Sequence, residues 1–194
     1  MKVPVSIPNI LTGIRILLIP VLVLAFYFLS PEWRYLTAAA IFAVASITDY
    51  LDGYLARRWG QITPFGAFLD PVADKLIVAV ALVLLVESHR SAFLAVPAMI
   101  IICREIAVSA LREWMAKYSE RRGVAVSFVG KVKTAFQMIA IFVLLASGPA
   151  NNAVVILGYI LLNTAAALTL WSMYLYLKLA WPDLTSGMVL PEED

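Results

Sequence analysis

The chain divides into long uncharged runs separated by short clusters of charge. No Asp, Glu, Lys or Arg occurs in 16–31, 35–48, 76–86 or 91–103. After Lys133 none recurs until Lys178, and the turn-rich Ser147-Gly148-Pro149-Ala150-Asn151-Asn152 divides that stretch in two. A helix needs roughly 17–25 residues to cross a bilayer. Four of these runs are too short if every charge must stay in water, and long enough if each helix carries charged residues toward one end. The pattern therefore predicts helices over 10–29, 34–58, 65–87, 91–117, 124–147 and 152–178. The strand-like alternation of an outer-membrane barrel is absent from the sequence. Backbone polar groups in lipid must bond internally, which leaves the α-helix as the spanning form.

Composition makes lipid the solvent. Of 194 residues 62% are hydrophobic and 14% charged, with a mean hydropathy of +0.89, against about half apolar and about a quarter charged in soluble domains. If the first predicted helix runs outward and six helices alternate, Lys2, Arg15, Arg57, Arg58, Lys75, Arg104, Arg112, Lys117, Arg121, Arg122, Lys131, Lys133 and Lys178 fall on one side. Only Arg34 and Arg90 fall on the other. This positive-inside bias puts both termini and the fourth-to-fifth loop in the cytoplasm. The expected fold is an all-α integral membrane protein of the cytoplasmic membrane, multi-pass, with six transmembrane helices and a polar cavity open to the cytoplasmic side. It reads as one domain over 1–194, with an interfacial lead-in at 1–9 around Pro4 and Pro8 and a cytoplasmic tail at 180–194. The lead-in lacks the cleavage pattern of a signal peptide.

Some chemistries are excluded. A net charge of +2 with no basic run gives no nucleic-acid signal. A single cysteine, Cys103, precludes an intramolecular disulfide and reads as a core residue. The lone His89, in a far loop, precludes an HExxH zinc site.

Charges enter the membrane from the cytoplasmic side alone, and such residues should face a bundle interior or a wet cavity. Asp49 and Asp52 share a face of the second helix, with Arg57 near it; Asp70 and Asp74 share a face of the third. The short connection at 59–64 predicts that these two helices are antiparallel neighbours. Four carboxylates brought together repel one another, and divalent cations relieve that repulsion. An all-oxygen set suits Mg²⁺, Mn²⁺ or Ca²⁺, and paired ions suit phosphoryl chemistry. Gly53 and Ala56 leave space for a ligand near the backbone. The plainer alternative pairs these acids with Arg57, Arg58 and Lys75 at a solvated helix end.

The run Asp49-x2-Asp52-Gly53-x2-Ala56-Arg57-x8-Gly66-x3-Asp70-x3-Asp74 resembles, without departure, the signature of the CDP-alcohol phosphatidyltransferases. Ile7-Pro-Asn9-Ile-Leu-Thr12-x2-Arg15, Pro20, Arg104-Glu105 and Gly130-Lys131-x-Lys133-Thr134-x2-Gln137 are similar, more narrowly, to bacterial members that make phosphatidylglycerol phosphate. The resemblance implies transfer of the phosphatidyl group of CDP-diacylglycerol to sn-glycerol 3-phosphate, with release of CMP, in phospholipid biosynthesis. It implies two Mg²⁺ or Mn²⁺ ions on Asp49, Asp52, Asp70 and Asp74, with Asp74 also taking the acceptor's proton. It implies Gly53, Ala56, Arg57 and Gly66 along the CDP site, bordered by Asn9 and Thr12, and a homodimer. Asn9 or Thr12 alternatively caps the first helix.

An acceptor with its own phosphate needs further cations, and Arg104, Lys131, Lys133 and Arg112 lie at the cytoplasmic ends of the fourth and fifth helices. Against this, Arg112 reads as a positive-inside anchor, and Arg104 as the partner of Glu105 in an internal ion pair. Inositol phosphate or phosphatidylglycerol as acceptor remains open, and a secondary transporter or cation channel using intramembrane acids is the reading from another class. The acids cluster at one face without an internal repeat, which disfavours transport.

Overall fold

The computed structural model describes residues 7–59, 64–118 and 128–185, and all the secondary structure among them is helical. The helices are α1 (Ile7–Phe28), α2 (Pro31–Trp59), α3 (Pro64–His89), α4 (Ala92–Tyr118), α5 (Phe128–Ser147) and α6 (Ala153–Thr185). Each coincides with a run predicted from the charge pattern. Differences fall at the ends. Pro8 and Asn9, assigned above to the lead-in, already belong to α1, because proline in a first helical turn forfeits no backbone bond. Helix α6 continues to Thr185, into the stretch read as tail. Residues 1–6, 124–127 and 186–194 lie outside those described.

Local chemistry sets several boundaries. Pro31 and Pro64 open α2 and α3, where a missing N–H costs nothing. Helix α5 ends on Gly148 at φ +58°, in the left-handed region that glycine enters freely, and a Cβ there would meet the Tyr35 ring at 2.8 Å. Asn152 caps α6, its side-chain oxygen accepting from the Val155 N–H at 2.9 Å.

The helices close a ring in the order α1, α2, α5, α6, α4, α3 and back to α1. Helices α2 and α3 touch only sparsely, and α1 packs extensively on both. The short connection thus does not make them a tightly packed pair; α1 packs on each of them more extensively than they pack on one another. The join between α3 and α4 is the loosest in the ring, and α4 and α5 have no Cα atoms within 8 Å of one another among the described residues. Phe42, Ile77, Leu85, Leu94, Ile101, Leu144 and Leu162 fill the core. The outside is apolar as well, with Leu17, Phe28, Ile47, Val83, Phe93, Ile106, Ile160 and Trp171 exposed. An exterior this apolar is suited to lipid.

Helices α1, α4 and α6 are long and apolar enough to cross a membrane by length and composition. Helices α2 and α3 are interrupted by Asp49, Asp52, Arg57 and Arg58, and by Asp70, Asp74 and Lys75. Hydroxyls within the bundle return to the backbone: Ser46 donates to Phe42 O and Ser172 to Thr169 O. Such bonds satisfy groups that lipid would leave bare.

Candidate active site

The site begins at α1. Thr12 and Arg15 lie three residues apart on one face, and both are fully buried. The Arg15 guanidinium meets the Asp49 carboxylate of α2 at 2.7 Å, and the Thr12 hydroxyl donates to Asp70 of α3. One helix therefore grips carboxylates on both of its neighbours, which explains how acids on two sparsely touching helices come together. Asp49 repels Asp70 and Asp74 across the group.

These oxygens fit divalent cations. Asp49 repels the other two carboxylates and has one buried guanidinium as its ion-pair partner, so the group has negative charge that a hard cation would neutralise. Among the described residues no three His, Cys, Asp or Glu side chains stand together closely enough to hold a metal ion, so the fit is one of donor type and charge. Asp52 belongs to the same sequence pattern, but its side chain lies outside those described, as do those of Asn9, Ala56, Arg57 and Lys131; nothing is placed at Gly53 beyond its helical backbone. Gly66 is buried in the first turn of α3.

Asp74 lies on the wall of a cavity of about 200 Å³ between α3, α4 and α5, whose lining includes Ile101, Glu105, Thr134 and Gln137. Two buried cations, Arg104 at 7% exposure and Lys133 at 4%, are tied to its lining through Glu105. The Glu105 carboxylate takes both: its Oε1 lies 2.6 Å from Lys133 Nζ and 3.1 Å from Arg104 Nη1. Arg104 Nη2 also donates to Ser172 on α6 at 2.9 Å. The internal ion pair weighed for Arg104 and Glu105 is present, with Lys133 as its third member. Lys75 is occupied across the α3–α4 join by the Ser109 hydroxyl.

Arg112 lies apart from this group in its contacts, its guanidinium 5.3 Å from the Tyr176 ring centre in a cation–π arrangement. Cys103, expected in the core, is exposed. Helix α4 turns Ile101, Arg104 and Val108 inward, and Cys103 falls off that stripe. Sequence reasoning gave Arg15 no role beyond a motif position and a positive-inside charge, although a charge this deep in an apolar helix is itself a signal. Gln137 likewise entered only as a motif position; its buried side-chain oxygen has no partner among the described residues.

A family model described as CDP-alcohol phosphatidyltransferase matches residues 5–171. A Pseudomonas fluorescens protein is 56% identical over 181 residues, 92% of each chain. An Escherichia coli K12 protein is 53% identical over 179 residues, 92% of this chain and 97% of its own. Both relatives carry the name CDP-diacylglycerol–glycerol-3-phosphate 3-phosphatidyltransferase.

Proposed function

The chain belongs to the CDP-alcohol phosphatidyltransferase family, and on that premise we propose that it transfers the phosphatidyl group of CDP-diacylglycerol to sn-glycerol 3-phosphate, releasing CMP. One observation carries the reading: Asp74 and Glu105 line one cavity, and that Glu105 carboxylate holds the buried Arg104 and Lys133. A site that joins a sugar-like hydroxyl to a phosphorus centre while holding the acceptor's own phosphate needs both.

Asp49, Asp52, Asp70 and Asp74 would hold two Mg²⁺ or Mn²⁺ ions. Bound there, the ions would supply neutralisation of the donor diphosphate and stabilisation of CMP as it leaves. Asp74 takes the proton of the acceptor hydroxyl as its oxygen bonds to the lipid-bearing phosphorus. The bond from that phosphorus to the CMP oxygen breaks, and CMP departs with the electron pair. Gly53, Ala56, Arg57 and Gly66 line the CDP site with Asn9 and Thr12; the hold of Thr12 on Asp70 adds that it fixes a carboxylate. Arg104, Lys131 and Lys133 bind the acceptor phosphate. Arg112, already over Tyr176, contributes least.

The chain is one domain over 1–194 in the cytoplasmic membrane, spanning it six times, with lipids and a second copy of itself as partners. Both termini and the mouth of the cavity face the cytoplasm, which gives water-soluble glycerol phosphate its entrance. The partition of Lys and Arg supports this orientation. A cysteine placed at Ser88, in a Cys103→Ala background, should be labelled from outside the cell; labelling from the cytoplasmic side alone would overturn the orientation.

Glycerol 3-phosphate is small, so its phosphate must supply most of its binding. A charge-assisted bond contributes roughly 1.5–3 kcal/mol, or about tenfold and more in affinity. Arg104→Gln and Lys131→Gln should each raise the KM for glycerol 3-phosphate by about tenfold or more and leave that for CDP-diacylglycerol nearly unchanged. Kinetics varying each substrate separately provide the check. A weakened donor instead would move these cations to the donor site.

A further inference from the structure

Helices α4 and α5 do not approach each other, yet a salt bridge crosses between them. Lys133 reaches from α5 to Glu105 on α4 at 2.6 Å, and Glu105 lines the cavity that lies between α3, α4 and α5. The same carboxylate holds Arg104 through a single contact at 3.1 Å. Two cations that are more than nine-tenths buried thus share one anion, and the cluster retains a positive charge. Arg104 Nε has no hydrogen-bond partner among the described residues, although a guanidinium is shaped for two parallel bonds to an oxyanion. Buried cations left wholly unpaired would be strongly destabilising. Glu105 removes most of that cost but leaves both a charge and a donor unsatisfied. Its side chain is 27% exposed, so it can return to water.

We propose that Glu105 is an internal stand-in for the acceptor's phosphate. At the cavity wall its carboxylate holds Arg104 and Lys133. A phosphate monoester entering there takes both cations, and Glu105 swings out to solvent. The stand-in makes the site selective. A doubly charged phosphate, with more acceptor atoms than a carboxylate, displaces Glu105; a singly charged anion does not. This rests on the reading of Arg104 and Lys133 as the acceptor site, and adds to it a residue that weakens acceptor binding while holding its cations in place.

The test uses the full chain in phosphatidylcholine nanodiscs, with inorganic phosphate as the probe. Glu105→Gln keeps a hydrogen-bonding group but removes the competing charge. Inhibition by phosphate against glycerol 3-phosphate should tighten about fivefold or more, the difference between a charge-assisted and a neutral contact. Dimethyl phosphate, a singly charged anion, should leave the wild type unaffected and inhibit the variant. The thermal midpoint in phosphate-free buffer should fall, and phosphate should raise it more than in the wild type. A merely structural ion pair predicts the same fall with no greater response to phosphate, and that result, or unchanged inhibition, overturns the proposal. Should Glu105→Gln fail to fold, Glu105→Asp carries the test: its shorter stem loosens the pair, phosphate inhibition should tighten, and unchanged inhibition is again the contrary result. Arg104→Gln separates the two levels. If it raises the acceptor KM while the Glu105 variants leave phosphate inhibition unchanged, the acceptor site stands and the stand-in falls. If it leaves the acceptor KM unchanged, the acceptor reading itself falls.

Discussion

Substitution of Asp49, Asp70 or Asp74 by Asn should lower CMP release by about a hundredfold to ten-thousandfold, and chelation of the wild-type enzyme should abolish it. For Asp74 the magnitude is that of losing a positioned base, and the loss should appear in kcat rather than KM because no uniform binding is removed. Asp49 and Asp70 are held by Arg15 and Thr12, and an Asn side chain still offers an oxygen to each, so the fold should survive while cation affinity is lost. Activity after exhaustive EDTA treatment, followed by readdition of Mg²⁺ or Mn²⁺, checks the expectation, with Mn²⁺ binding followed by magnetic resonance as a readout independent of turnover. Full activity in metal-free enzyme would falsify it.

The second large effect concerns stability. Arg15 is fully buried and its partner Asp49 is 39% exposed. Removing one member of a fully buried pair costs about 3–5 kcal/mol; water at Asp49 screens the pair, so Arg15→Leu should destabilise by about 2 kcal/mol. A divalent cation bound at Asp49, as proposed above, would neutralise the same carboxylate as the guanidinium, so Mg²⁺ should restore more stability to the variant than it adds to the wild type. Denaturant unfolding of both proteins in EDTA and in Mg²⁺ gives the comparison. A variant as stable as the wild type in EDTA would mean that α1 does not hold the carboxylates through this contact.

The helices were legible because their signal is local. Hydrocarbon excludes charge, so each uncharged run marks the part of a helix that must be dry, and Pro31, Pro64, Gly148 and Asn152 mark ends by their own backbone chemistry. The spacing of Asp49 with Asp52 and of Asp70 with Asp74 was legible for the same reason, since i,i+3 and i,i+4 positions share a face wherever the helix is packed. What sequence could not give was which helices touch. A short connection suggested that α2 and α3 pair closely, whereas α1 packs on both and supplies Arg15 and Thr12. The link from Lys133 to Glu105 joins residues 28 apart on helices whose backbones stay separate, and no periodicity announces it. Cys103 shows the limit of composition within one helix: flanked by isoleucines it reads as core, but in a chain that is apolar outside as well as inside, hydrophobic neighbours do not tell the two faces apart.

Transfer of a phosphatidyl group to glycerol 3-phosphate by this chain can be followed directly as CMP release from CDP-diacylglycerol with the purified protein and Mg²⁺ across a panel of acceptors. Release should be rapid with sn-glycerol 3-phosphate, with phosphatidylglycerol phosphate formed in equal amount, and slight with inositol phosphate, phosphatidylglycerol or glycerol. Release that is faster with any of those three than with glycerol 3-phosphate, or none with any acceptor, would contradict it.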